Sequence, residues 1–364
     1  MLHADPHPNP LPQAGEGADF PPLPPAGEGR GEGVALPPLP RAGEARGEGV
    51  QALPIIDLRT GDAAAREVDA ACRAHGFFYV TGHGIPAAVI DAAFAASQRF
   101  FALDDAVKRR WHIDRSGIKR GFDPIGWQVL DPGSPADIKE SFYLGVDRDA
   151  SDPLVRAGTP NHGPNQWPDQ AVAPGFRAAV QAYDAAVRAL SMRLMRLIAL
   201  GLGLAGDHFE RYMQDPMPVL RLLHYPPQPA AAEPGQIGCG AHTDWGGITL
   251  LAQDDAGGLQ LQSLSGEWLE AVPVEGSFVV NLGDLMARWT NDRYRSTLHR
   301  VINRAGVETA DRHRYSIAYF FDIDYHAEVS ALPGCFDASN PPRYAPITAG
   351  EHVVEMYRRT QVAA

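Results

Sequence analysis

The sequence is poor in cysteine and has no long apolar run. Its 364 residues include only three cysteines, Cys72, Cys239 and Cys335, which lie far apart and form no Cys-x2-Cys pair. This usage favours a reducing compartment and argues against a disulfide framework. The longest apolar stretch, residues 197–205, is much shorter than the roughly 18 residues that a membrane span needs. We therefore expect a cytoplasmic protein that is not integral to a membrane.

Positive charge is also scarce. The chain has 32 Lys and Arg against 44 Asp and Glu residues, a formal net charge of −12 with histidine neutral. This balance argues against general nucleic-acid binding. The 45% hydrophobic and 21% charged residues are ordinary for a globular protein, and the length suffices for a sizeable core. We expect a monomer whose partner is a small-molecule substrate, with no nucleic-acid or membrane partner.

The first 52 residues differ from the rest in composition. Of the 69 glycines and prolines, 20 lie within the first 50 residues, and a Leu-Pro…Ala-Gly-Glu unit recurs over residues 11–17, 23–33 and 39–49. Such a segment cannot bury enough apolar surface to offset its chain entropy. The hypothesis is a disordered Pro/Gly-rich repeat segment, with the functional chain beginning near Leu53. We expect deletion of residues 1–50 to leave stability and activity unchanged.

The remaining chain changes its hydrophobic period near residue 216. Before it, the pattern predicts strands over 53–58 and 76–80, helices over 62–75, 86–101 and 174–204, and a loop-rich stretch over 117–174. After it, period-2 segments predict strands over 219–225, 249–253, 259–262, 278–282, 297–303 and 315–321, followed by a helix over 350–360. This order predicts an amino-terminal helical region, residues 53–215, and a jelly roll over 216–364.

The histidines include one suggestive arrangement. His242 and Asp244 are two residues apart, so an extended backbone would point both side chains to one face. His299 lies in another strand-like segment that pairing could bring opposite them. Two imidazoles and one carboxylate form the ligand set of non-haem iron oxygenases. An isolated His-x-Asp triplet is more often a hydrogen-bonded pair at a strand edge.

Arg314 and Ser316 form a second pair on one strand face. A guanidinium beside a hydroxyl suits a carboxylate ligand, because arginine offers a bidentate fork and serine adds a donor. The alternative is a surface salt bridge. It fits poorly with the apolar residues 317–321 that follow, since an arginine on a core-facing strand needs an anion.

Many short motifs occur in an order that resembles one family. They are residues 53–57, 75–80, 82–84, 120–122 and 139–142 in the amino-terminal part, and 220–226, 242–244, 257–260, 280–284, 289–292, 299–301 and 314–316 in the carboxy-terminal part. With these motifs the chain resembles the isopenicillin-N-synthase-like family of Fe(II)- and 2-oxoglutarate-dependent dioxygenases. The resemblance covers about residues 53–358.

The resemblance implies a fold and a set of binding residues. The fold would be mostly β with flanking helices around a double-stranded β-helix (jelly roll, cupin-like) core. His242, Asp244 and His299 would bind Fe(II), while Arg314, Ser316 and Tyr225 would bind the distal carboxylate of 2-oxoglutarate. The other cofactors implied are O2 and, as a reductant, ascorbate. One departure is Leu223, which stands where many plant members have asparagine.

The implied activity is that of an oxidoreductase acting with O2. It would hydroxylate or desaturate a small metabolite while 2-oxoglutarate is converted to succinate and CO2. One alternative is a relative that forms ethylene and succinate or that works without 2-oxoglutarate. The other is a non-enzymatic binding protein on the same barrel, which the presence of every ligand residue disfavours.

The substrate residues are the least determined by sequence. Candidates for the wall of the substrate pocket are Phe122, Trp245 and Phe320, and core packing is the competing interpretation for each. Arg120 either holds an acidic group of the substrate or pairs with Asp123.

Overall fold

A computed structural model describes residues 53–128, 134–228, 233, 235–303 and 312–360. The hypothesis of disorder over residues 1–52 concerns a segment outside these ranges. The strands are β1 (Ile55–Asp57), β2 (Phe77–Thr81), β3 (Gly121–Asp123), β4 (Glu140–Gly145), β5 (Val219–Tyr225), β6 (Cys239–His242), β7 (Ile248–Gln253), β8 (Leu259–Gln262), β9 (Trp268–Glu270), β10 (Phe278–Leu282), β11 (His299–Val301), β12 (Arg314–Phe321), β13 (Glu328–Val329) and β14 (Ile347–Thr348).

The α-helices are α1 (Ala65–Ala74), α2 (Ala87–Phe101), α3 (Asp105–Lys108), α4 (Pro153–Arg156), α5 (Phe176–Gly201), α6 (Asp284–Trp289) and α7 (Ala349–Thr360). Short 3-10 turns cover Leu58–Ala64, Arg109–Trp111, Ile113–Arg115 and Glu210–Tyr212. Among the helices described, none has the length and apolarity required to cross a membrane.

The strands form two main sheets. The larger has eight strands in the order β1-β2-β10-β7-β12-β5-β4-β3, and the smaller has the order β6-β11-β8-β9. Inward-facing side chains of both sheets belong to one apolar cluster, which includes Leu223 and Ala318 of the larger sheet and Leu261 and Val301 of the smaller. Two such facing sheets form the predicted jelly roll.

Alternation along β12 separates two environments. Ile317, Tyr319 and Phe321 lie in the larger core, between the eight-stranded sheet and helices α1, α2 and α5. Ala318 belongs to the cluster between the sheets. Because side chains alternate along a strand, Arg314 and Ser316 share the inner face with Ala318. The alternation of side chains that predicted this strand thus also puts Arg314 and Ser316 on the face that points into the jelly roll.

The amino-terminal part supplies more strands than its sequence predicted. The stretch 117–174, expected to be loop-rich, contains β3, β4 and α4, and residues 53–215 contribute β1 to β4 to the larger sheet. The physical reason is that β4 is buried on both faces and includes the polar residues Glu140 and Ser141. Such a strand shows neither alternation nor a purely apolar run.

Other boundaries also differ. The helix predicted over 62–75 begins only at Ala65, after a 3-10 segment, Leu58–Ala64, in which Gly61 has a left-handed φ of 64°. The strand predicted over 297–303 is confined to His299–Val301, and its pairing with β6 is irregular between these two residues. Neither β6, with the small residues Cys239, Gly240 and Ala241, nor the six-residue helix α6 was predicted.

A buried ionic group links α3 to the larger sheet. Lys108 Nζ lies 2.6 Å from Glu140 Oε2, and His224 Nδ1 lies 2.7 Å from the other carboxylate oxygen of Glu140. The side chains of Lys108 and Glu140 are 9% and 4% exposed. A charge at such depth is tolerated only while its partner is present.

Replacing Glu140 with glutamine should therefore strongly destabilise the fold. The change leaves the Lys108 ammonium buried without its counter-ion, and breaking a buried pair in this way costs about 3–5 kcal/mol. Urea unfolding followed by circular dichroism measures the free energy of unfolding. Asp62→Asn, which removes the exposed pair with Arg196, is the control and should change little. Equal stability of the two variants would contradict the prediction.

Candidate active site

Three potential metal ligands meet between β6 and β11. His242 is the last residue of β6 and lies opposite His299, the first residue of β11. Asp244 follows β6 by two residues, and its Oδ1 is 3.9 Å from His242 Nε2 and 3.7 Å from His299 Nε2. All three ligand atoms lie within 4.8 Å of one another. The spacing is suitable for a single metal ion.

Backbone hydrogen bonds set the orientation of both imidazoles. His242 Nδ1 donates to the Gly240 carbonyl at 2.8 Å, and His299 Nδ1 donates to the Thr297 carbonyl at 3.0 Å. A carbonyl oxygen can only accept, so each Nδ1 carries the proton. Each Nε2 is left with a free lone pair on the side of Asp244. Fixing the tautomer in this way is typical of metal-binding histidines.

Asp244 is oriented by two side chains that sequence reasoning did not identify. Its Oδ2 accepts hydrogen bonds from Thr249 Oγ1 at 2.5 Å and from Asn281 Nδ2 at 2.6 Å. This leaves Oδ1 to face the histidines. A signal was present for Asn281, which is 4% exposed on the otherwise apolar strand β10. A buried amide must find a partner.

The electrostatics of the three residues suit a dication. Burial lowers the pKa of His299 to about 4, helped by nearby His242, and burial also lowers the pKa of His242. Burial alone would raise the pKa of Asp244, but His299 and His242 outweigh it and keep that pKa below its ordinary value. Near neutral pH the cluster therefore presents two neutral imidazoles and a carboxylate.

A second polar group lies farther inside the jelly roll. Arg314 is 6% exposed, and its guanidinium donates to the Gly257 carbonyl at 2.7 Å, to Ser316 Oγ at 3.1 Å and to Gln253 Oε1 at 3.4 Å. Its charge lies 4.7 Å from the ring centre of Tyr225. Within the described ranges no carboxylate forms an ion pair with Arg314. A buried guanidinium without an anion is a candidate carboxylate-binding group.

A cavity of about 150 Å³ opens on the other side of the metal-ligand cluster. His242 and Asp244 line it, as do three of the predicted substrate residues, Arg120, Trp245 and Phe320. The wall further includes side chains of the larger sheet and of α7, namely Tyr143, Arg221, Val353 and Tyr357. The cosubstrate candidates Tyr225, Ser316 and Arg314 do not line this cavity.

The structure distinguishes between the alternatives that the sequence left open for Phe122 and for Arg120. Phe122 is fully buried in the larger core, where its ring meets Phe100, and it does not line the cavity. Its strand β3 pairs with β4 at the edge of the sheet, and this residue faces the helices. Arg120 does not pair with Asp123, which instead contacts Ser141 and Arg221.

Fold and site together define a class of protein. A jelly roll that presents two imidazoles and one carboxylate around an open position is the architecture of mononuclear non-haem metal oxygenases. Two family models match the chain. Residues 53–170 match the amino-terminal domain described as non-haem dioxygenase in morphine synthesis, and residues 216–323 match the 2OG-Fe(II) oxygenase superfamily.

Individual proteins give the same result. The 2-oxoglutarate-Fe(II) type oxidoreductase hxnY of Emericella nidulans is 39% identical over 320 residues, 85% of this chain and 90% of that protein. A homoarginine-6-hydroxylase of Glycine max is 37% identical over 73% of this chain and 80% of that protein. The crystal structure of full-length Neurospora crassa T7H with α-ketoglutarate superposes with a TM-score of 0.76, at 32% identity over 86% of this chain and 98% of that chain.

The chain belongs to the isopenicillin-N-synthase-like family of Fe(II)- and 2-oxoglutarate-dependent oxygenases. It is an oxidoreductase, and its cofactors are Fe(II) and 2-oxoglutarate. The family resemblance and the jelly-roll fold expected from the sequence motifs are both confirmed.

Proposed function

We propose that the protein oxidises a small metabolite at an iron held by His242, Asp244 and His299, with conversion of 2-oxoglutarate to succinate and CO2. The observation that carries the proposal is the convergence of these three ligand atoms beside a cavity. The donor set would fit the metal because two neutral nitrogens and one carboxylate match the ligand preference of Fe(II). When bound, iron and 2-oxoglutarate supply the oxidising power for breaking a substrate C–H bond.

The proposed role of Arg314 follows from charge balance. 2-Oxoglutarate is a dianion, and the metal can neutralise only the end that it binds. Arg314 and Ser316 would hold the distal carboxylate, with Tyr225 beside the guanidinium. Leu223, on the same strand, is 5% exposed among apolar neighbours and offers no hydrogen bond to the cosubstrate from its side chain.

The cavity is proposed to hold the primary substrate. Its volume of about 150 Å³ is below the roughly 300–1,000 Å³ of sites for drug-sized ligands, which favours a small molecule. The relatives support this choice, since Neurospora T7H has been crystallised with thymine and the Glycine max relative is a homoarginine hydroxylase. The wall residues would place one C–H bond near the metal and exclude water. Hydroxylation or desaturation is the proposed outcome.

Product analysis tests the proposed reaction. Purified protein loaded anaerobically with Fe(II) is supplied with 2-oxoglutarate, ascorbate, O2 and a pool of small metabolites. We expect succinate to form together with an oxidised metabolite. Ethylene in the headspace in place of an oxidised metabolite would assign the ethylene-forming reaction. Oxidation without 2-oxoglutarate consumption would contradict the proposed use of the cosubstrate.

The hydroxyl of Thr249 is expected to tune the iron site without binding the metal. Thr249→Val removes one of two donors to Asp244 Oδ2, so the carboxylate loses part of its fixed orientation. Loss of such a partner lowers metal affinity by about 10–100-fold, and retention of Asn281 favours the lower end. Titration with Co(II), a spectroscopic substitute for Fe(II), measures the affinity. Thr60→Val, which removes a surface hydroxyl hydrogen bond, is the control; equal affinities in the two variants would refute the role.

A further inference from the structure

The cavity wall contains three arginines, and two of them already have counter-ions. Arg148 contacts Asp152 at 2.7 Å and Asp215 at 2.5 Å. Arg221 contacts Asp123 at 3.3 Å, and its guanidinium also lies over the ring of Tyr143. These two charges are thus compensated by the protein itself. Neither arginine needs a bound anion to balance its charge.

Arg120 is the exception. It is 5% exposed, and the single hydrogen bond of its side chain to another described residue runs from Nη2 to the Asn161 carbonyl at 2.9 Å. Its Nε is buried without a partner, and no carboxylate in the described ranges forms an ion pair with it. A guanidinium held this deep against a cavity is poorly solvated unless an anion enters.

The backbone is shaped to hold Arg120 in this position. A Cβ atom on Gly145, the last residue of β4, would overlap the Arg120 guanidinium. Glycine at position 145 therefore leaves free the space that the Arg120 guanidinium occupies. We call this space the seat of Arg120. A second glycine in the cavity wall leaves space for a charged side chain in the same way.

The second case is Asp322, which follows β12. A Cβ on Gly246 would overlap the Asp322 carboxylate, and Asp322 Oδ1 accepts a hydrogen bond from Gly247 N at 2.9 Å. Asp322 Oδ2 accepts none from any residue in the part of the chain described. Burial raises the pKa of Asp322 to about 6, with Asp244 contributing. Asp322 Oδ2 can therefore accept a hydrogen bond from a ligand in the cavity.

Arg120 and Asp322 both line the cavity and lie at the ends of different strands of the larger sheet. Gly145 pairs with Val219 and Val219 pairs with Phe320, so the seat of Arg120 is two strands away from β12, at whose end Asp322 lies. Two strand spacings amount to roughly 10 Å. The Asp322 carboxylate lies against Gly246, two residues after Asp244, whereas the Arg120 guanidinium lies against Gly145. An amino-acid-sized molecule with opposite charges can bridge this distance.

We infer that the primary substrate is a small ampholyte of the amino-acid class, whose carboxylate binds Arg120 and whose α-ammonium group binds Asp322. The inference rests on the proposed function, because it assumes that this cavity holds the substrate. The guanidinium offers two parallel donors to a carboxylate, and Asp322 Oδ2 offers an acceptor. The guanidinium would gain a counter-charge, and the Asp322 carboxylate would gain a donor for Oδ2.

A binding experiment with matched ligands tests the inference. The full chain is loaded with Mn(II) and 2-oxoglutarate without O2, mixed with free L-amino acids, their carboxamides or their N-acetyl derivatives, and passed through gel filtration. Mass spectrometry then identifies the retained molecules, and calorimetry gives their affinities. The variants are Arg120→Gln and Asp322→Asn. Arg177→Gln, which removes an exposed arginine outside the cavity, is the control.

We expect the unmodified protein to retain at least one free amino acid and to bind its carboxamide and N-acetyl forms at least about tenfold more weakly. Arg120→Gln should reduce binding of that amino acid at least about tenfold and abolish the preference over the carboxamide. Asp322→Asn should abolish the preference over the N-acetyl form. The Arg177 variant should behave like the unmodified protein.

Retention of no free amino acid, or equal binding of an amino acid to the Arg120→Gln and unmodified proteins, would overturn the inference. The cosubstrate gives an internal comparison, because retention of 2-oxoglutarate is measured in the same samples. Loss of 2-oxoglutarate retention from the unmodified protein would indicate failure of the proposed function. Normal 2-oxoglutarate retention without any amino acid would indicate failure of the substrate class alone. Thermal unfolding of each variant confirms that it is folded.

Discussion

Replacing Asp244 with alanine should abolish iron binding and all iron-dependent turnover. The variant would leave only two neutral imidazoles to hold a dication, and the single compensating charge of the cluster would be lost. His242→Ala and His299→Ala each remove one of the three ligands and should also prevent turnover. Asp244 is expected to be the least dispensable of the three, because it alone balances charge.

The measurement is metal content after anaerobic reconstitution with Fe(II), together with succinate release. His326→Ala is the matched control, because His326 is exposed and lies outside the cluster. Full activity with unchanged iron content in any of the three ligand variants would refute the assignment of that residue. Loss of activity with full iron content would instead assign it a role other than holding the metal.

Replacing Arg314 with alanine should raise the KM for 2-oxoglutarate at least about tenfold, since a charge-assisted hydrogen bond to a buried carboxylate contributes about 1.5–3 kcal/mol. Leaving that carboxylate buried without its cation can raise the effect to about a thousandfold. Arg314→Lys should restore part of the affinity, because the ammonium keeps the charge and loses the fork. Ser316→Ala removes one donor among several and should have a smaller effect.

Steady-state titration of 2-oxoglutarate at fixed iron, followed by succinate release, measures these effects. Arg59→Ala removes an arginine whose side chain is 78% exposed and serves as the control. An unchanged KM in Arg314→Ala would show that the distal carboxylate binds elsewhere. Iron content should stay normal in every variant of this series, which distinguishes it from the ligand variants.

The structure was predicted most accurately from the sequence where a functional residue lies on a long, regular strand. Strand β5 has the predicted bounds, and alternation along β12 placed Arg314 and Ser316 on the inner face. Strand β6 was missed because it is four residues long and composed of small side chains, although it ends in His242. The His-x-Asp spacing identified a candidate metal site without the strand being recognised.

The cavity wall was the least predictable part. Arg120, Asp322 and Tyr357 come from three distant segments, and no periodicity relates them. Their proximity follows from the pairing of β3 and β4 with β5 and from the packing of α7, both of which are long-range contacts. The contacts of Gly145 with Arg120 and of Gly246 with Asp322 could not be predicted either, because a glycine in the sequence does not show which side chain occupies the space beside it.

The metal-ligand cluster and part of the cavity wall come from different segments of the chain, so relatives can change one without the other. Strands β6, β11 and β12 carry the cluster and Arg314, whereas the far wall of the cavity comes from residues 120–162 and from α7. Insertions or replacements in those two segments can change the shape of the substrate cavity while the metal-ligand cluster and the site around Arg314 keep their geometry. A chimera that received both segments from a relative should therefore change its preference for the part of the substrate that they contact, while Asp322 and the cofactor requirement stay the same.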